Sequence, residues 1–160
     1  MGTTSSEIVD LFLSHVDDYR YGIIEQSSGS TVLTIYLEPF LFDAIDTFSD
    51  LANQDLTYVE SGSSLVEGYF VQDLNRQNKD ILSQLMVKSW FAKNIQNLLQ
   101  MQNHIDDRDM KTFSPAANLK AKQDFFNSKC EELDRMLTQY SYKNNINWQD
   151  WFNQNFNNFP

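Results

Sequence analysis

Phe70-Val71-Gln72-Asp73-Leu74 leads straight into a long apolar-striped segment, Asn75 to Gln102, with Ile81-Leu82-Ser83-Gln84-Leu85-Met86 and Trp90 along it. After an acidic break at Asp106-Asp107-Arg108-Asp109, Ser114-Pro115-Ala116-Ala117-Asn118-Leu119 opens a second segment that reaches Tyr140-Ser141-Tyr142. In the first, Ile81, Leu82, Leu85, Met86, Ser89 and Trp90 hold a helical stripe for several turns, and Phe91, Ile95, Leu98 and Leu99 widen it. Asp73 or Asn75 can cap this helix. A helix apolar on more than one side belongs at the centre of its fold, with Met86 and Met101 as adaptable fillers. The second helix starts at Ser114-Pro115, a hydroxyl N-cap followed by proline where its missing amide costs nothing. Leu119, Phe126, Cys130, Leu133, Leu137 and Tyr140 share one face of it, and Lys143-Asn144-Asn145 suits its close. The short break between the two predicts an antiparallel pair.

Upstream, Thr4-Ser5-Ser6-Glu7 reads as a capping box. Ile8, Leu11, Phe12, His15 and Val16 then mark a helix predicted to end near Tyr19 to Gly22, with His15 at the edge of the core. Ser27-Ser28-Gly29-Ser30 reads as a loop, and Thr31 to Tyr36 as either a short extended segment or a loose helical turn. Pro39 fits the first turn of a helix from about Glu38 to Leu51, whose stripe is Leu41, Ala44, Ile45, Phe48 and Leu51. Asp43, Asp46 and Asp50 then face water. Leu56-Thr57-Tyr58-Val59 and Leu65-Val66-Glu67-Gly68-Tyr69-Phe70 flank a Gly/Ser turn, which predicts a β-hairpin or a long ordered loop near residues 55–70. An isolated two-stranded hairpin is marginal in water, so this one must lie against the helices or a neighbouring subunit.

The last stretch has a different character. Between Asn145 and Pro160 it carries two Trp and three Phe but only one charge, Asp150. Trp148, Trp151, Phe152, Phe156 and Phe159 would share one face of a short helix. Each large aromatic buries about 150–250 Å², and such residues concentrate at interface hot spots. That face must be covered, either by the same subunit or by a partner. The expected organisation is a mainly α domain over residues 1–143, a small bundle of about four helices with one hairpin or long loop, followed by an aromatic C-terminal arm over 144–160.

Composition narrows the function classes. With 160 residues and 41% hydrophobic content, the chain can bury one core. Cys130 is its one cysteine, so an internal disulfide or a CxxC site is excluded, and its place on a helical stripe predicts a buried, inert thiol. No apolar run approaches the roughly 18 residues of a membrane span. Met1-Gly2-Thr3-Thr4-Ser5-Ser6 matches an N-myristoylation pattern, but no basic cluster supplies the second membrane signal, and an unstructured start is expected. The formal net charge is −10, and it is unevenly spread. Residues 1–75 hold thirteen Asp and Glu against Arg20 alone, whereas residues 76–160 hold nine acids against eleven Lys and Arg. That balance opposes binding to phosphate backbones and allows an acidic face of one copy to meet a basic face of the next.

Reactive constellations are missing from the pattern. His104 and Asp106, Asp107 and Asp109 lack the alternation, glycine and distant Glu of an EF-hand, and acids before a helix already favour its dipole. There is no nucleophile elbow, no phosphate-cradling glycine loop, and no acid pair spaced for a dyad. Neither an enzyme nor a cofactor is expected.

The segments that decide the fold also carry a resemblance. Phe70-x-x-Asp73-Leu74, Ile81-Leu82-x-x-Leu85-Met86 and Trp90, then Asp107-x-Asp109-x-Lys111-x-x-Ser114-x-Ala116-x-x-Leu119 and Tyr140-x-Tyr142, resemble the head–tail connector (adaptor or neck) proteins of tailed bacteriophages. The resemblance covers a little under half of the chain. It implies a structural virion protein that forms a closed ring of about twelve copies between portal and tail. It further implies contacts with the portal protein and with a tail or second neck protein, inter-subunit contacts through the hairpin residues Tyr58, Val59, Leu65, Val66 and Tyr69, and DNA passing without specific binding; no membrane partner is expected from the sequence. The acidic composition alone also fits an acidic regulatory binding protein, such as a DNA mimic or anti-host factor.

Overall fold

A computed structural model of the chain describes residues 2–16, 19–60, 68–105 and 115–145. Five helices are described: α1 (Ser5–His15), α2 (Tyr19–Ser28), α3 (Ser30–Phe48), α4 (Arg76–Ile105) and α5 (Pro115–Asn145). Between α3 and α4, strands β1 (Tyr58–Val59) and β2 (Tyr69–Phe70) pair antiparallel, Tyr58 opposite Phe70 and Val59 opposite Tyr69. The fold is mainly α with one small hairpin.

The local signals explain most of these elements. Thr4 and Glu7 form the reciprocal capping box, and Thr4 has the extended backbone of an N-cap. Asn75, not Asp73, caps α4: its Oδ1 accepts from the backbone N–H of Asn78 at 2.8 Å. α5 begins at Pro115, where a proline costs no hydrogen bond. α4 is the hub of the fold, packing against α1, α3 and α5. Ile81, Leu82, Leu85 and Met86 are buried in the core with Ile8, Val9 and Phe12 of α1, Leu37, Leu41, Ala44 and Phe48 of α3, and Leu133, Leu137 and Tyr140 of α5. Tyr140, late in α5, bonds to Asn78, early in α4, while Phe125 and Phe126, earlier in α5, meet Phe91 further along α4. The pair is therefore antiparallel.

Residues 16–39 depart from the sequence expectation. The first helix stops at His15, and Val16 is extended, so the predicted continuation to Tyr19–Gly22 belongs instead to a separate helix, α2. The expected Ser27–Ser30 loop shrinks to Gly29. Its φ of 89° lies where side chains are strained, and this one residue ends α2 and caps α3, its N–H donating to the Glu25 carbonyl and its carbonyl accepting from Leu33. Thr31 to Tyr36 is helical, and Pro39 sits inside α3, not in its first turn. Pro39 cannot donate to the Ile35 carbonyl, a penalty of about 3 kcal/mol in a helix interior. Burial outweighs it: Leu33, Leu37, Phe40 and Leu41 all enter the core on this helix. The β-branched residues of 31–36 favour strand only when no tertiary face claims them.

The start of the chain is ordered, contrary to expectation. Thr3 is fully buried, Thr4 bridges antiparallel to Tyr69, and Thr3 and Ser5 exchange backbone bonds with Phe70, Gln72 and Gly68. β2 thus has a neighbour on each side, β1 and this N-terminal strap. That second neighbour stabilises a hairpin too small to stand alone.

Candidate interaction surface

The hairpin is fixed to the bundle through its inner face. Phe70 is buried, with its ring 5.0 Å from that of Tyr58, and Tyr58 in turn meets Phe42 of α3 edge-on. The Tyr58 hydroxyl donates to Glu38 Oε1 at 2.8 Å, and the Gly68 N–H reaches the same oxygen at 3.3 Å. Glu38 is buried, so these donors supply hydrogen bonds its carboxylate would otherwise take from water. A Cβ on Gly68 would run into the Tyr58 hydroxyl and Glu38, so this seat requires glycine.

Pleating sends the other side chains outward. Val59 is 39% exposed, Tyr69 46% and Val71 54%, a contiguous apolar face on a surface otherwise rich in acids. Of the candidate inter-subunit residues, Val59 and Tyr69 lie on this outer face, and Tyr58 faces inward. Leu65 and Val66 fall outside the described residues. So does the whole aromatic arm: Trp148, Trp151, Phe152, Phe156 and Phe159. Val71 was not singled out in the sequence, although its alternation with Tyr69 was a usable signal.

A charged clasp closes the base of the hairpin. Lys79 on α4 binds Glu7 on α1 at 2.7 Å and Asp73 at 3.4 Å. The Lys79 ammonium, through its hydrogen bond, holds Glu7 below the usual carboxylate range. The Thr3 hydroxyl, and then Lys79, do the same for Asp73, while Glu7 chiefly raises Lys79. The Thr3 hydroxyl donates to Asp73 and accepts the Leu74 N–H, joining the strap to the entry of α4. On the hairpin's approach, Asp55 is lowered by hydrogen bonds from the Thr57 hydroxyl and amide.

Tyr140 joins α5 to the same region. It stands edge-on to Phe48, and its hydroxyl lies 2.5 Å from Asn53 Oδ1 and 2.7 Å from Asn78 Oδ1 while accepting the Asn53 N–H. Asn78 is fully buried and extends the network to Gln54. The sequence marked Tyr140 as a stripe residue. Its polar role was not visible there, because its partners lie 62 and 87 positions away.

Chemistry beyond packing is sparse among the described residues. No group of three or more His, Cys, Asp and Glu is placed to hold a metal ion. His15 is exposed, not at the core edge, and its Nε2 lies 3.1 Å from Gln84 Nε2. Cys130 is half-buried, not fully so, and burial pushes its thiol up, away from the reactive thiolate. It lines a cleft of about 240 Å³ between α4 and α5 with Phe91, Phe126, Lys88 and Lys129. Phe125 beside it is 50% exposed. A second cleft, of about 340 Å³, lies between α2, α3 and α4 and includes Tyr21, Tyr36, Trp90 and Lys93. The cluster around Asp106 to Asp109 is outside the described residues. No described helix is long and apolar enough to cross a membrane.

No family model matches the chain, and neither a curated protein nor a solved structure does.

Proposed function

We propose that this chain is a structural protein of a tailed bacteriophage, a head–tail connector that forms a ring between portal and tail through which DNA passes. One observation supports it most. Many of the described residues that carry the resemblance to neck proteins lie around one junction, although Trp90 and the exposed Tyr142 do not. Phe70 and Leu74 deliver the hairpin, Ile81, Leu82, Leu85 and Met86 form the core face of α4, and Tyr140 ties α5 to Asn78 on α4 and to Asn53 in the segment that leads to the hairpin. The motif thus specifies a platform that holds an apolar hairpin face away from the bundle, which is what a ring subunit needs to meet its neighbour.

In this reading each copy contacts its neighbours in the ring, the portal, and a tail or second neck protein. The excess of carboxylates leaves the channel wall unable to grip phosphates. The aromatic residues Trp148, Trp151, Phe152, Phe156 and Phe159 anchor each copy to a partner. The protein works in the neck of the virion without catalysis or cofactor. An acidic regulatory binder is the second reading, favoured by the exposed Asp43 and Asp46 on α3 and Asp50 just past its end.

In this reading the genome that encodes the chain also encodes a portal protein, and the test is binding between the two. The connector reading expects the full chain to co-purify with portal and the 1–145 truncation, still helical by circular dichroism, to lose that binding. If the full chain ignores portal and instead captures a basic DNA-binding protein, the second reading replaces the first.

A further inference from the structure

Among the described residues, three apolar faces remain exposed once the core is assembled. The outer hairpin face, Val59, Tyr69 and Val71, is set among the exposed acids Asp55, Glu60 and Asp73. The α4–α5 cleft balances Lys88 and Lys129 against Asp80 and Glu132, so charge gives it no preference. The cleft between α2, α3 and α4 differs from both. Its walls are mostly aromatic, with Tyr21, Tyr36, Phe40 and Trp90, and Lys93 is the one charged side chain that lines it. The Lys93 ammonium stands 5.2 Å from the centre of the Phe40 ring, and Ile23 and Tyr36 beside them are 58% and 55% exposed. Glu25 follows on α2 but does not line the cleft.

The same chain carries a segment that needs such a cover. Trp148, Trp151, Phe152, Phe156 and Phe159 follow the end of α5 at Asn145, and Asp150 is the one charged side chain among them. The acidic hairpin face repels such a segment and the balanced cleft is indifferent to it, whereas the α2–α3–α4 cleft offers aromatic walls and a lysine. We propose that residues 146–160 of one copy seat in the α2–α3–α4 cleft of another, aromatic on aromatic, with Asp150 toward Lys93. Five large aromatics can bury on the order of 800 Å², the share one partner gives to a stable interface.

Reach places the contact between copies. Tyr140 bonds Asn78, and α5 runs five residues beyond it, about 7 Å, in the direction away from Trp90. Trp90 stands about 18 Å from Asn78 the other way along α4. Roughly 25 Å of the bundle therefore separate Asn145 from its own cleft, and the three residues to Trp148 span only about 10 Å. Later aromatics reach it only on a fully extended chain, which sends alternate side chains to opposite sides and breaks up their shared face. A neighbour's arm meets no such limit. Arm and cleft are different surfaces, so the contact can pass from copy to copy around a ring. In the connector reading, on which it rests for its biological setting, this link holds the ring together for the portal.

Cross-linking tests it. In full-length chains carrying Cys130→Ser, one batch receives Ile23→Cys in the cleft and another Asn153→Cys in the arm, each fold verified by an unchanged melting profile. At protein concentrations in the millimolar range, a short bis-maleimide should join the two batches several-fold more than either batch to itself. It should also join them several-fold more than it joins the arm batch to chains carrying Val71→Cys or Phe125→Cys. Lys93→Glu in the cleft batch should cut the yield several-fold, and Asp150→Lys in the arm batch should then restore it. Equal yields within and between batches, equal yields at the three faces, or indifference to Lys93→Glu would overturn the contact. So would a cross-link formed mainly within single chains when Ile23→Cys and Asn153→Cys share one. Chains that fail to cross-link yet bind portal refute the contact alone, and chains that cross-link but ignore portal refute the connector reading alone.

Discussion

Tyr140 places its ring against Phe48 and its hydroxyl between two asparagines, so it fills the core and also satisfies buried polar groups. One phenolic proton serves one carboxamide oxygen at a time, and the Asn53 N–H takes a lone pair. Tyr140→Phe keeps the packing and strands these partners. It should cost about 1–3 kcal/mol in urea unfolding, the penalty of leaving a buried polar group unpaired. Two glycines offer an opposite pair of outcomes. A Cβ on Gly2 would enter the Phe70 carbonyl, so Gly2→Ala must displace the strap and should lower both stability and amide protection at Phe70. Gly22 lies inside α2 with open space where its Cβ would be, so Gly22→Ala should raise stability by about 0.5–1 kcal/mol.

Among the elements, the strap and hairpin are held by charge as well as by backbone pairing. Glu7 and Asp73 are both held below the ordinary carboxylate range, so the stability they add is present above that range and is lost as pH falls through their lowered values. Lys79 is raised, so its share persists until pH climbs past the ordinary lysine value. Acidification below about pH 4 should therefore lower the protection of the Thr3 and Phe70 amides, read as exchange relative to the intrinsic rate at each pH. Lys79→Met should flatten that pH dependence while leaving exchange in the middle of α4 unchanged. The strap also marks how far the sequence could be read. Caps, stripes and the Gly/Ser turn are local signals, and they located α1, α4, α5 and the hairpin. Pro39 and the β-branched run at 31–36 gave local signals that tertiary burial overrode, so α3 was read as shorter than it is. Thr3 and Thr4 carried no periodicity, because a strap two residues wide is specified by its partners at 68–72 and not by its own pattern. The outer face of the hairpin was half legible, through Val59 and Tyr69, and the seat of Tyr58 on Glu38 was not.

For the molecule as a whole, the uneven charge gains a location. Exposed acids on α3 and in the segment that leads through the hairpin, among them Asp43, Asp46, Asp50, Asp55, Glu60 and Asp73, carry the imbalance between residues 1–75 and 76–160, whereas the α4–α5 cleft sets Lys88 and Lys129 against Asp80 and Glu132. Like-charged faces repel, so the acidic segments oppose closed pairs formed through themselves. The proposed connector role puts the chain in the neck of a virion, and the most direct test is a reconstruction of that neck at a resolution that separates helices. The account predicts an axially symmetric ring between portal and tail into which α1–α5 fit. A neck that contains no copy of the chain would contradict it.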